Sequence, residues 1–221
     1  PERRALHRRV GEWLLEVAPD RGVETAELAA YHYAEALAYG ETSPAVAQRA
    51  SGLLATAGLA ALQRGSYDDA RRQLERAAEL ATDDDTRAAA ELLLGRLAAT
   101  IGGPDDALRH LDLAISLASP EDVALLADAL SWRSRALWLS ARWDEALAVA
   151  TEAVDTLEGQ PDSPQRARAL ARRSQLAMLR GEPNALELAE DALAVAERVG
   201  DAFGAVNSRI NIASAHAMRG S

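Results

Sequence analysis

A short turn motif recurs along this 221-residue chain at nearly constant spacing, and no other feature restricts the fold as strongly. Gly65-Ser66-Tyr67-Asp68-Asp69-Ala70 is echoed by Gly102-Gly103-Pro104-Asp105-Asp106-Ala107, by Ala141-Arg142-Trp143-Asp144-Glu145-Ala146 and, one residue shorter, by Gly181-Glu182-Pro183-Asn184-Ala185. Gly220-Ser221 would begin a fifth copy. The leading residues stand 37, 39, 40 and 39 positions apart. In each copy a small residue, glycine in all but one, ends a helix where the backbone must turn left-handed. An aromatic residue or proline follows, and acidic residues then open the next helix, where its positive dipole end favours them.

After each turn an alanine starts an apolar series at three- and four-residue spacing: Ala70, Leu74, Ala77 and Ala78, then Ala107, Leu111, Ala114 and Ile115. Ala146, Ala150, Ala153 and Val154 form the third series, and Ala185, Ala189, Ala192 and Leu193 the fourth. The helix before each turn has a small residue at its midpoint: Gly58, Gly95, Ser134 and Ser174. Small residues on both partners let two helices approach closely. The predicted unit is a helix-turn-helix hairpin that cannot cover its own apolar face, so successive hairpins stack. An ordinary helical bundle would also carry apolar stripes, but it has no reason to repeat the turn at a fixed period. Composition agrees: the chain is 48% apolar and rich in alanine, with only 4% aromatic residues, so helix is favoured throughout.

The alternation of small-residue contacts and turn glycines over roughly residues 45 to 220 resembles the tetratricopeptide repeat. The period is longer than that family's usual 34 residues, Ala141 replaces one turn glycine, and the fourth copy is one residue short. The resemblance implies an all-α fold, a right-handed superhelical solenoid of antiparallel helix pairs. It divides the chain into a helical pair over 1–44, repeats at about 45–82, 83–119, 120–160 and 161–199, and a half repeat at 200–221.

In the front segment an amphipathic helix is predicted over 3–18, with Leu6, Val10, Trp13, Leu14 and Val17 on one side, ended by Pro19 and Gly22. A second helix is predicted from Thr25, as its cap, to Tyr39, with Leu28, Tyr31, Ala34 and Leu37 buried. Leu6-His7-Arg8-Arg9-Val10 with Trp13-Leu14, followed by Glu27-Leu28-Ala29-Ala30-Tyr31-His32-Tyr33-Ala34-Glu35-Ala36, resembles the junction in bacterial STAND-type signal-transduction ATPases where the nucleotide-binding part passes into a repeat array. Such arrays occur in transcription regulators with a terminal DNA-binding domain and in cyclase-linked proteins. The chain has no phosphate-cradling glycine loop ending in Lys-Ser/Thr, so the resemblance places any nucleotide hydrolysis outside this segment. A start at Pro1 that runs at once into a helix reads as a fragment.

The absence of cysteine removes disulfides, thiolate metal sites and thiol nucleophiles, and fits a cytoplasmic compartment. No apolar run reads as long enough to cross a bilayer, so no membrane partner is expected. A net charge of -10 argues against direct nucleic-acid binding. The basic runs Arg3-Arg4 with Arg8-Arg9, and Arg166-Arg168 with Arg172-Arg173, read as solvated helix faces. His7, His32, His110 and His216 are scattered, with none at a metal-binding helical spacing, and His32 reads as a packing residue. Asp83-Asp84-Asp85 reads as a helix cap, not a calcium loop. No catalytic residue, metal or cofactor is assigned. The chain reads as a binding module and not an enzyme.

In tetratricopeptide arrays the first helix of each hairpin lines the concave surface. Carried onto this chain, that selects Leu59 and Leu62, Leu92 and Arg96, then Ser131, Arg135 and Trp138. It also selects Arg168, Arg172, Gln175 and Met178, and finally Asn207, Asn211 and Ser214. This groove is mixed and locally basic, suited to a protein or peptide segment bearing carboxylates or to another domain of the same parent chain. Trp138 and Met178 either add apolar contact there or, for Trp138, pack between repeats. The arginines either face a ligand or pair with nearby acids. Trp132 and Trp143 read as core or turn packing. A small-molecule effector is the alternative occupant. The last helix, read as 202–219, leaves a strip including Ile210, Ile212 or Ala213 uncovered, so self-association through that end is expected as well.

Overall fold

The computed structural model describes residues 1–17 and 22–219. Pro19 and Gly220-Ser221 lie outside the described residues. Among those residues there are eleven helices and no strand. They are α1 (Glu2–Val17), α2 (Gly22–Ala38), α3 (Pro44–Gln63), α4 (Tyr67–Leu80), α5 (Asp84–Thr100), α6 (Pro104–Leu117), α7 (Val123–Leu139), α8 (Trp143–Asp155), α9 (Pro164–Leu179), α10 (Ala185–Val199) and α11 (Ala202–Arg219).

The turns form as the motif predicts. Gly65, Gly102 and Gly181 have φ of 77°, 83° and 71°, and Ala141 adopts φ 57° where its glycine is missing. The next residue's amide closes the helix end each time: Ser66 donates to Ala61 O, Gly103 to Ala98 O, Arg142 to Leu137 O and Glu182 to Ala177 O, all at 2.9 Å. These bonds satisfy carbonyls that a helix end would otherwise strand. Asp83 caps α5, its carboxylate accepting from Thr86 N at 2.8 Å.

Each helix packs on the next in sequence, and α3 with α5, α5 with α7, α7 with α9 and α9 with α11 pack in addition. The even-numbered helices have no comparable second-neighbour packing among the described residues. Odd helices are therefore closer together than even ones, which puts them on the inside of a curved stack. Buried apolar residues fall into six successive clusters and not one nucleus, such as Ala61, Leu74 and Leu94 at one level and Ala150, Ala169 and Leu176 at another.

The mid-helix small residues divide into two kinds. At Gly58 and Gly95 the next helix lays a leucine across the backbone, Leu74 and Leu111 respectively. At Ser134 and Ser174 the hydroxyl donates instead to the carbonyl of the alanine that starts the next helix's apolar series, Ala146 O at 2.7 Å and Ala185 O at 2.9 Å.

The front pair departs from the sequence expectation. α2 begins at Gly22, and Thr25 is a buried residue within it, not its cap. Leu28 and Tyr31 are 54% and 55% exposed, while Ala26, Ala29, Ala30, Tyr33 and Ala36 are buried. The reason is the same close-approach logic seen in the repeats: the Tyr33 ring lies over Gly11 of α1, which sets α2's inward face one position away from its largest apolar residues. Leu6, Trp13 and Val17 of α1 are likewise exposed, and Leu14 and Leu15 make the contacts to the core.

A further correction concerns α3, which at 20 residues and a mean hydropathy of 1.2 does reach the length and apolarity of a bilayer span. Half of it is buried, with Ala50, Leu54, Ala57 and Ala61 packed inside the protein, so core packing accounts for its apolarity.

Candidate functional site

The odd helices enclose a cavity of about 390 Å³ on the inner face. α7 supplies Asp128, Ser131, Trp132 and Arg135, and α9 supplies Arg168, Ala171, Arg172 and Gln175. α3 and α5 close one side with Leu62, Gln63, Arg96 and Thr100, and α11 closes the other with Phe203, Gly204, Asn207, Ile210 and Asn211. These positions drift along the helices, from the C-terminal ends of α3 and α5, through the middle of α7 and α9, to the N-terminal half of α11. The cavity thus crosses the stack diagonally, as the twist between successive hairpins requires.

That drift decides which sequence-selected residues reach the site. Leu62, Arg96, Ser131, Arg135, Arg168, Arg172, Gln175, Asn207 and Asn211 line it together. Leu59 and Leu92 lie one turn too early on their helices, and Leu92 packs on the core beside Ala129 and Leu111. Trp138, Met178 and Ser214 lie one turn too late. Trp138 instead stands edge-to-face with Trp143, ring centroids 5.9 Å apart, against the α7–α8 core, and lines a separate apolar hollow with Leu176, Leu179 and Arg180. Carrying equivalent positions straight along the array takes no account of superhelical twist.

Trp132 and Asp128 also line the cavity, although the sequence reading does not select them for the groove. Trp132 is half-buried in the cavity wall, with the Arg96 guanidinium 5.3 Å and the Arg135 guanidinium 6.0 Å from its ring centre. Trp132 is one residue from the selected Ser131 and lies four before Ala136 on the same stripe, so its spacing alone did not separate core from cavity. The second basic run is not a solvated face either. Arg168 and Arg172 point into the cavity, while Arg173 pairs with Glu182 at 2.8 Å.

The four cavity arginines fare differently. Arg168 bridges two acids, Asp128 at 3.1 Å and Asp201 at 3.5 Å. Among the described residues Arg96, Arg135 and Arg172 form no ion pair; Arg172 donates to Gln175 Oε1. Burial, reinforced by the charge of Arg135, pushes the Arg172 guanidinium down to about 10. Burial also lowers Arg96, with Arg168 adding to the effect and Asp128 opposing it. Asp128 is pushed up by burial in spite of Arg168 and Arg96. Ser131 Oγ and Arg135 Nε are both shielded from solvent and without a hydrogen-bond partner. The site concentrates uncompensated positive charge and unused donors in an acidic protein.

Elsewhere, His7 and His32, far apart in sequence, meet with Nδ1 atoms 3.0 Å apart in a cluster with Tyr31 and Tyr39. Among the described residues no three ligating side chains converge as a metal site would need.

No protein-family model matches the chain, and no curated protein matches it. Solved structures do. YrrB, a TPR protein with an unusual peptide-binding site, is 19% identical over 92% of this chain and 90% of its own, with a TM-score of 0.55. A Rap protein complexed with competence and sporulation factor is 16% identical, over 94% of this chain and 57% of its own, with a TM-score of 0.65. A signal transduction ATPase with numerous domains and a tetratricopeptide repeat sensor, from Pyrococcus horikoshii, is 14% identical at a TM-score of 0.61. It covers 99% of this chain, which spans 37% of that protein.

The fold is a tetratricopeptide-repeat solenoid. At these identities the likeness extends to architecture, an all-α right-handed superhelix of antiparallel helix pairs, and the expected fold class is the observed one.

Proposed function

We propose that the chain is a non-catalytic interaction module whose inner cavity captures an acidic protein or peptide segment, from a separate partner or from another domain of its parent. The observation that carries this reading is the set of three guanidiniums, Arg96, Arg135 and Arg172, held in one half-enclosed cavity without ion-pair partners among the described residues. Maintaining like charges together out of water costs folding free energy, and an anionic segment offsets that cost. Neighbours of the same architecture whose names speak of a peptide-binding site and of a bound factor support the peptide reading.

In the parent protein we assign the module a regulatory or sensory role beside a cytoplasmic signalling ATPase or transcription regulator, with the α1–α2 pair as the lead-in. The resemblance of the front segment and the architecture of the Pyrococcus horikoshii ATPase sensor support this. The exposed Val206 and Ala213 of α11, which lie outside the cavity lining, are where a second copy would self-associate.

The test is fluorescence anisotropy of labelled Glu/Asp-rich peptides at low and at physiological salt. Binding by the wild type that is lost in Arg135→Glu and Arg172→Glu, with helicity intact, is the predicted result. Capture that survives both reversals refutes the cavity assignment.

A second reading, a small-molecule sensor, is favoured by one observation: 390 Å³ is the size of a pocket for a compact ligand. A ligand at a hundred times its Kd would stabilise the protein by about 2.7 kcal/mol in a thermal-shift screen.

A further inference from the structure

We propose that the group recognised at the base of the inner cavity is a phosphomonoester dianion, carried on a ligand with an adjoining apolar moiety. This rests on the reading that the cavity is the binding site, and it specifies what the cavity selects.

The argument begins with charge. The cavity's own carboxylate, Asp128, is committed to Arg168, which it meets at 3.1 Å. Arg96, Arg135 and Arg172 remain unneutralised by any ion pair among the described residues. Arg135 is near enough to Arg172 to disfavour its charge, and Arg96 and Arg135 share one indole ring. A lone carboxylate brings one negative charge to this cluster and leaves most of it uncompensated. A phosphomonoester brings between one and a half and two, by its second pKa of about 6, together with three acceptor oxygens.

Donor geometry agrees. Guanidinium forks meet phosphoryl oxygens in pairs of parallel hydrogen bonds, which a lysine cannot do. Arg135 Nε and Ser131 Oγ are buried in the cavity wall with no partner, and each is a donor that a phosphoryl oxygen would satisfy. Ser131 as a whole is 8% exposed, so its hydroxyl is inside the wall and not at the rim. Such groups are costly to leave unpaired, and here two of them flank the unneutralised cations.

The apolar half of the specification comes from α11. Phe203 and Ile210 line the same cavity yet are 66% and 57% exposed. The ligand that fits is one whose charged end goes to the arginines while its apolar part lies against Phe203 and Ile210.

Isothermal titration calorimetry on the 221-residue protein tests this with phenyl phosphate and phenylacetate, which share the ring and differ in the anion. Phenyl phosphate should bind at least tenfold more tightly than phenylacetate. Arg135→Gln and Arg172→Gln should each weaken it at least tenfold, and Arg109→Gln, on the outer helix α6, should not. Far-ultraviolet circular dichroism checks folding, and Arg135→Lys keeps the charge while removing the fork, so it should retain only part of the affinity. Equal binding of the two ligands, or equal losses in Arg109→Gln, overturns the proposal.

Two further titrations separate the sources of the phosphoryl group: an acidic peptide with phosphoserine beside phenylalanine against its unphosphorylated form, and phenyl glucoside 6-phosphate against phenyl glucoside. Preference for either phosphorylated member supports the proposal and names the source; preference for neither overturns it. Acidic peptides that bind through Arg135 without any preference for phosphate would leave the interaction module standing and remove only this inference.

Discussion

Leu74 lies across Gly58 so closely that a Cβ on residue 58 would stand 2.6 Å from Leu74 Cγ. Leu111 and Gly95 repeat the relation at 2.5 Å. In the next two hairpins the glycine becomes Ser134 and Ser174, and the residue in register with the leucine becomes Ala150 and Ala189. The array thus solves one packing problem twice, with glycine under leucine or with serine beside alanine. In the second solution the hydroxyl is satisfied by the backbone carbonyl of the facing helix.

Exchange between the two solutions is testable. Gly58→Ser alone should overpack and cost about 1 to 3 kcal/mol, and Leu74→Ala alone should leave a void costing about 2 to 5 kcal/mol. The double variant Gly58→Ser/Leu74→Ala recreates the third hairpin's pair, so urea melts should show it losing at least 1 kcal/mol less than the two single costs combined. Additive losses would mean that the pairs do not compensate.

Ala107 and Ala146, the fourth residues of α6 and α8, are fully buried. Replacing either with leucine should cost roughly 1 to 3 kcal/mol, because the alanine is what lets the hairpin close. Melts unchanged by both substitutions would contradict the register of the repeats.

Ala141 holds φ 57°, a conformation that glycine adopts freely and alanine only at a cost. Ala141→Gly should therefore stabilise the protein by up to about 1 kcal/mol after the greater freedom of glycine in the unfolded chain is subtracted. A lower midpoint in the variant would show that the strain is not where the backbone places it.

Asp83 supplies a pH-dependent contribution. Its carboxylate is held below the usual range by the hydrogen bond from the Thr86 amide and then by the Thr86 side chain. A lowered folded-state pKa stabilises the fold above the ordinary aspartate value, near pH 4, and the stabilisation is lost as pH falls through the lower folded value. Asp83→Asn, which can still cap, should flatten the acid limb of the stability profile; an unchanged limb would exclude Asp83 as a contributor.

The repeat was legible in the sequence because Gly65, Gly102 and Gly181 mark a backbone conformation that few other residues tolerate, and because the alanines after them fall at helical spacing. The inner surface was only partly legible. Arg135 and Arg172 lie near the middle of the diagonal and were found, whereas Met178 and Ser214 were carried to where an untwisted stack would place them. Trp132 was misread because its spacing satisfies the core stripe as well as the cavity; only the approach of two guanidiniums to its ring separates the two. In α2, helical spacing points to Leu28 and Tyr31 as part of a buried face, but close packing of Tyr33 on Gly11 turns the face with Ala26, Ala29, Ala30 and Ala36 inward instead.

Of the four tryptophans, only Trp132 lines the inner cavity; Trp138 and Trp143 border the other hollow, and Trp13 is on α1. Fluorine NMR of protein labelled with 5-fluorotryptophan, titrated with an acidic peptide that binds in the anisotropy assay, therefore reports directly on where capture occurs. The account predicts that the Trp132 resonance moves in proportion to saturation while Trp13, Trp138 and Trp143 stay in place. Movement at Trp138 and Trp143, or at Trp13, with Trp132 unchanged would contradict it.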